Sequence, residues 1–147
     1  PENLHVNTLY QASLLAHAKQ PYGATRLAPG TEDGEALNPA CGDEIRVKLV
    51  WTPGGTLERL TYELHGCAVS AAAASMTARC LEGRTRAEVA AMGVAFASRL
   101  GREGFEAEWG DFQAFNGIER FPARMHCARL VWRAVEQALA KGPGGSP

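Results

Sequence analysis

The sequence predicts an α+β fold, a small antiparallel sheet of about three strands with helices packed on one face. Three observations lead there. Period-two alternation is confined to residues 34–64. Helical spacing dominates from residue 67 onward, and Pro53-Gly54-Gly55 stands where two alternating runs must reverse.

Taken in order, residues 3–20 read as a helix, because Val6, Leu9, Tyr10, Ser13, Leu14 and His17 share one face. Pro21-Tyr22-Gly23 stops it, and residues 24–33 form a loop. Residues 34–37 can add a third strand to a hairpin spanning 44–64. In that hairpin Ile45, Val47, Leu49 and Trp51 alternate with Arg46, Lys48 and Val50, and Leu60, Tyr62 and Leu64 alternate with Thr61 and Glu63. Residues 67–81 form an alanine-rich helix ended by Gly83. Thr85 and Glu88 make a capping box for a helix running to about Leu100. Residues 101–110 read as a loop, and Asp111 as the cap of a short helix through Phe115, closed by Asn116-Gly117. The last helix covers 123–140 behind Pro122, with Leu130, Ala134 and Ala138 on one face.

A chain of 147 residues fits a single domain over 1–147, with GPGGSP at 142–147 as a flexible tail. The net charge of −1 supplies no general field for nucleic acid or an anionic membrane, so neither is an expected partner. No apolar run reaches the length of a membrane span. No secretory signal is read, and the opening proline fits trimming of the initiator region, so a cytoplasmic location is expected. In that setting the four cysteines, Cys41, Cys67, Cys80 and Cys127, point to metal or thiol chemistry rather than disulfides.

The hairpin gathers part of that chemistry. Cys41 and Asp43 stand where the loop enters its first strand, and Cys67 where its second strand hands over to a helix, so the three should be neighbours. Cys127 and His126 open the last helix. If that end lies at the same sheet edge, five ligand-type side chains converge. A helix start favours the thiolate, the form that binds metal. Three thiolates with one oxygen or nitrogen ligand suit tetrahedral Zn²⁺ and equally a [2Fe–2S] cluster. Gly42 and Gly66 would let a metal or cluster come close to the backbone. Taken singly, each cysteine is as readily a small buried hydrophobe, Asp43 a turn residue and His126 a solvent-facing ring. Cys80, His5, His17 and His65 are read as structural, and Met76, Met92 and the tryptophans as packing.

The stretches NPACGD, GCAVSAAAASMT and FPARMHCARLVW, with LYQASLLAHAKQPYG near the N-terminus, resemble the U-type iron–sulfur cluster assembly scaffold family of IscU, SufU and the NifU N-terminal domain. The resemblance covers nearly the whole chain. It is closer to the SufU branch, because GDFQAFNGIERFPAR looks like that branch's extra region and the IscU chaperone-binding stretch is absent. His126 is IscU-like, standing where SufU proteins carry lysine. The resemblance implies an IscU/SufU-like fold, with Cys41, Asp43, Cys67 and Cys127 as metal and cluster ligands. It leaves the fourth ligand open between Asp43 and His126. It implies a cysteine desulfurase as sulfur donor, iron–sulfur acceptor or carrier proteins as recipients, and Cys127 as candidate sulfur acceptor.

Two functions follow from the resemblance. One is a scaffold that builds and passes on a transient [2Fe–2S] cluster. The other is a zinc-dependent sulfurtransferase that accepts persulfide sulfur and activates the desulfurase. Either is a scaffold or sulfur-transfer partner rather than a stand-alone enzyme. A zinc hydrolase would need an open coordination position and a general base, and no H-E-x-x-H or similar base is present; a purely structural zinc would make folding depend on the metal.

Overall fold

The computed structural model describes residues 2–141, and residues 2–10 by their backbone alone. His5 and the face expected from Val6, Leu9 and Tyr10 therefore lie outside the described side chains, and the expected tail at 142–147 outside the described residues. Helix α1 (Glu2–Lys19) is followed by strands β1 (Gly34–Asn38), β2 (Asp43–Trp51) and β3 (Leu57–His65). Helices α2 (Ala68–Leu81), α3 (Arg86–Ser98) and α4 (Pro122–Ala140) complete the chain. The sheet is three-stranded, antiparallel and ordered β1-β2-β3, as the alternation predicts.

The alternation has a physical cause. Ile45, Val47 and Leu49 are buried on the inner face of β2, against α4. Arg46, Lys48 and Val50 point outward but are only half exposed, because the 24–33 loop folds beneath them. Arg46 ties that loop down, donating to Glu32 at 3.0 Å, Glu63 at 2.6 Å and the Leu27 carbonyl at 3.0 Å.

α4 lies across β1 and β2, while α2 sits between α4 and β3. Close approach depends on small residues. A Cβ at Gly34 would stand 2.1 Å from the Ala134 carbonyl oxygen, so β1 can reach α4 only with glycine there. Ala72, Ala73, Ala74 and Ala78 give α2 a thin buried face. Leu130, Val131 and Val135 fill the space from α4, each worth about 1.5–3 kcal/mol when fully buried. The predicted capping box is present, with Glu88 N donating to Thr85 Oγ1 at 3.2 Å and Thr85 N to the Glu88 carboxylate at 2.8 Å.

The region between α3 and α4 departs from expectation. α3 ends at Ser98, because Leu100 (ψ 117°) and Gly101 (φ 72°) leave helical space inside a wide turn, Arg99–Glu103. The stretch read as loop then enters a 3₁₀ segment, Ala107–Phe115, broken at Gly110. Aromatic packing sets this course. Phe105 and Phe112 lie 5.4 and 5.6 Å from the ring of Phe96, and Trp109 packs edge-on against both. Asp111 caps no helix, since its carboxylate accepts from His17 Nε2 at 2.8 Å instead. His17 Nδ1 meets Ser75 Oγ at 2.7 Å, so one imidazole joins α1, α2 and the 107–115 segment. The structural reading of His17 agrees with this. Trp132 is buried and stacked on Phe96 at 5.4 Å, Met76 is buried, and Met92 and Trp51 are half-buried.

Candidate metal centre

Asp43 is the first residue of the central strand. Its register partner on β1 is Asn38, and the next pair along, Glu44 with His65, places it opposite the Gly66 end of β3. Four residues, 39–42, turn the chain between β1 and β2. Asn38 builds that turn: its carbonyl accepts from Cys41 N at 3.3 Å and Gly42 N at 2.8 Å, and Gly42 takes a φ of 75° to close it. The Asn38 side chain, itself buried, donates to Cys41 Sγ at 2.9 Å. Cys41 is therefore held from behind while its sulfur faces solvent.

Cys67 is the N-cap of α2, its sulfur accepting from Ser70 N at 3.5 Å. From there its thiol reaches the Asp43 carboxylate at 3.5 Å. Cys127 approaches from α4, and its Sγ lies 3.8 Å from Cys41 Sγ. Ligand atoms of Cys41, Asp43 and Cys127 all fall within 4.8 Å of one another, while Cys67 touches the trio through Asp43. His126 is exposed, does not join the group, and makes no side-chain hydrogen bond among the described residues.

The donor set fits a thiophilic metal. A tetrahedral ion with bonds of about 2.3 Å to sulfur and 2.0 Å to oxygen sets two sulfurs about 3.8 Å apart and a sulfur and an oxygen about 3.5 Å apart. The Cys41–Cys127 separation of 3.8 Å and the Cys67–Asp43 separation of 3.5 Å match those two edges. Asp43 strengthens the case. It is 3% exposed, and its side chain's only hydrogen-bond partner among the described residues is a thiol. A buried carboxylate so poorly satisfied calls for a cation.

Two expectations need correction. Gly66 does not leave room for a metal: a Cβ there would lie 2.6 Å from Ser70 Oγ and 3.0 Å from the Asp43 carboxyl carbon, so its missing side chain houses Asp43. Nor does a helix start keep Cys127 a thiolate. It is the sixth residue of α4, beyond the first turn where the helix dipole acts, and its Sγ lies 3.6 Å from the Ala123 carbonyl. Burial, and then the Cys67 and Cys41 thiols, push the Cys127 thiol well above the ordinary range. Sequence reasoning missed Asn38, whose only signal was its place at the head of NPACGD. Cys80 lies away from this centre, half-buried beside Met92 with its thiol pushed up by burial, and His65 pairs with Glu63 at the surface.

Residues 9–144 match the model of the NifU-like N-terminal domain. The chain belongs to that family. Among family relatives, the zinc-dependent sulfurtransferase SufU of Bacillus subtilis is 33% identical over 98% of both chains. The iron–sulfur cluster assembly scaffold protein IscU of Streptococcus pyogenes serotype M1 is 29% identical, covering 92% of this chain and 86% of that one. A crystal structure of a candidate cluster assembly scaffold for the SUF system of Fervidobacterium islandicum superposes with a TM-score of 0.71 at 26% identity, over 86% of this chain and 93% of that one. The α+β architecture is thus that of the NifU-like family, and no described helix is long and apolar enough to cross a membrane.

Proposed function

We propose that this chain is an iron–sulfur cluster assembly scaffold. It receives sulfur from a cysteine desulfurase and assembles a transient [2Fe–2S] cluster on Cys41, Cys67, Cys127 and Asp43, then passes it to acceptor or carrier proteins. One observation carries this reading: three thiols and a buried, poorly satisfied carboxylate converge from a turn, a strand start and two helices at one edge of the sheet. The cluster is cargo, so release matters as much as binding. A carboxylate among thiolates supplies a harder, more exchangeable corner, and the solvent-facing Cys41 and Cys67 leave that side open to an acceptor.

Sulfur enters by exchange. A thiolate of this chain attacks the outer sulfur of the donor's persulfide, the donor's S–S bond breaks, and the donor cysteine leaves as thiolate. The new S–S bond resides on this chain, with no net oxidation. The resemblance names Cys127 as the acceptor, whereas access favours Cys41, which is exposed and backed by Asn38. Mass spectrometry of Cys41→Ser, Cys67→Ser and Cys127→Ser after donor treatment decides: the variant that gains no sulfur lacks the acceptor.

The zinc-dependent sulfurtransferase reading is favoured by one specific observation, that the Cys41–Cys127 and Cys67–Asp43 separations of 3.8 and 3.5 Å equal two edges of a tetrahedral zinc site. Cys41, Asp43, Cys67 and Cys127 would hold Zn²⁺, which when bound keeps its thiolate ligands deprotonated. Anaerobic incubation with ferrous iron, cysteine and the desulfurase separates the two readings. A visible chromophore lost in Cys127→Ser supports the scaffold. Stoichiometric zinc, faster desulfurase turnover and no chromophore support the sulfurtransferase. Metal content of Asp43→Ala against His126→Ala identifies the fourth ligand.

A further inference from the structure

A cleft of about 300 Å³ is used by neither reading of the site. It runs between α1, the 113–121 stretch and the first turns of α2 and α4. Leu14, Val69, Phe115 and Ile118 give it an apolar floor, and Arg120 and Arg124 line it with positive charge. Among the described residues no acidic side chain lines it. Neither arginine forms a salt bridge among the described residues. Arg124 instead stacks over the ring of Phe121, 4.9 Å from its centroid, and Phe121 is 51% exposed. On a chain with net charge −1, two arginines without an acidic partner among the described residues, flanking an exposed aromatic ring, are a local inversion of sign. Exposed arginine and aromatic side chains of this kind are the residue types that anchor protein interfaces.

The cleft is also placed to matter. Val69 is two residues past Cys67, and Arg124 three residues before Cys127. A segment seated there would touch the starts of both helices that deliver those thiols.

We infer that this cleft is a docking groove for an acidic segment of the sulfur donor, whose carboxylates pair with Arg120 and Arg124 and whose apolar side chain packs between Phe121 and Leu14. The inference rests on the desulfurase being the sulfur donor. Charge complementarity identifies the occupant: two guanidinium groups with no carboxylate partner among the described residues, over an apolar floor, select a carboxylate-bearing apolar segment. Held in the groove, the donor rests on the starts of the two helices that carry Cys67 and Cys127, without any new ligand to the metal.

The test uses the full chain and the cysteine desulfurase encoded by the same genome. The double variant Arg120→Glu/Arg124→Glu should weaken binding by on the order of tenfold or more and flatten its salt dependence. Metal content should stay unchanged, since neither arginine is placed among the ligands. Phe121→Ala should weaken binding without altering the salt dependence. Hydrogen exchange of the wild-type complex should show protection at residues 113–121 and along the α1 face holding Leu14. Unchanged affinity in the double variant overturns the inference, as does protection confined to α3 or to the outer sheet face. So does a weakened variant that has also lost its metal. A wild-type chain that neither binds the desulfurase nor takes its sulfur overturns the functional reading itself, and the groove's assignment falls with it.

Discussion

At the residue scale the centre depends on who stands beside whom. Asp43 is buried because Gly66 makes space for it, and among the described residues only thiols stand near its carboxylate, the Cys67 thiol at 3.5 Å. Gly66→Ala forces a Cβ into Asp43 and Ser70, so it should cost metal affinity by tenfold or more while far-ultraviolet circular dichroism stays native. Metal titration of the variant checks this, and wild-type affinity would refute the packing argument. Asp43→Ala tests the exchangeable corner. Removing the hard ligand should slow cluster release to an acceptor, measured as decay of the chromophore. If the variant binds no metal at all, Asp43 is an anchor rather than a release point. The sequence made Cys41, Asp43 and Cys67 legible as neighbours, since a hairpin alone places them together. It concealed the burial of Cys127, because burial is a property of how α4 lies on the sheet and not of the spacing along α4.

At the scale of elements, two polar ties hold pieces that hydrophobic packing alone would leave loose. His17 links α1 to Ser75 on α2 and to Asp111 in the 107–115 segment. His17→Ala removes both bonds and leaves the buried Ser75 hydroxyl one partner short. It should lower stability by about 1–3 kcal/mol, read from denaturant unfolding. The second tie is Glu63, which accepts from Leu27 N and Arg46 and pins the 24–33 loop under the sheet. The Leu27 N–H first, and the His65 and Arg46 charges after it, lower the Glu63 pKa, and Arg46 likewise helps lower that of Glu32. A carboxylate depressed by folding stabilises the protein above its unfolded pKa, and that contribution is lost as pH falls through the folded value. Stability should therefore decline from about pH 5 downward, and Glu63→Gln should decline less steeply, as thermal unfolding across that range would show. Strands and long helices were readable because their periods are set by local geometry. The 101–115 region was not, because its turns follow the long-range packing of Phe105 and Phe112 on Phe96, with Trp109 edge-on against both, which no local spacing announces.

At the scale of the molecule, the core and the centre are separable. The buried cluster runs from Ile45, Val47 and Tyr62 through Leu81, Phe96 and Leu130 without involving the candidate ligands Cys41, Asp43 and Cys67. A chain of this length with such a core does not need a metal to fold. Stripping the metal with chelator should leave circular dichroism and cooperative unfolding in place, and a collapse of both would turn the centre into a structural zinc. What the fold contributes is an open edge where a turn and two helices present thiols, and a strand start a carboxylate, to a docking partner. The most direct measurement of the central claim is anaerobic reconstitution of the wild-type chain with ferrous iron, cysteine and the cysteine desulfurase, followed by visible spectroscopy and transfer to an apo acceptor protein. The account predicts a [2Fe–2S] chromophore that requires Cys41, Cys67 and Cys127 and disappears from this chain as the acceptor gains it. A chain that stays colourless, or a cluster that forms equally well in Cys127→Ser, would contradict it.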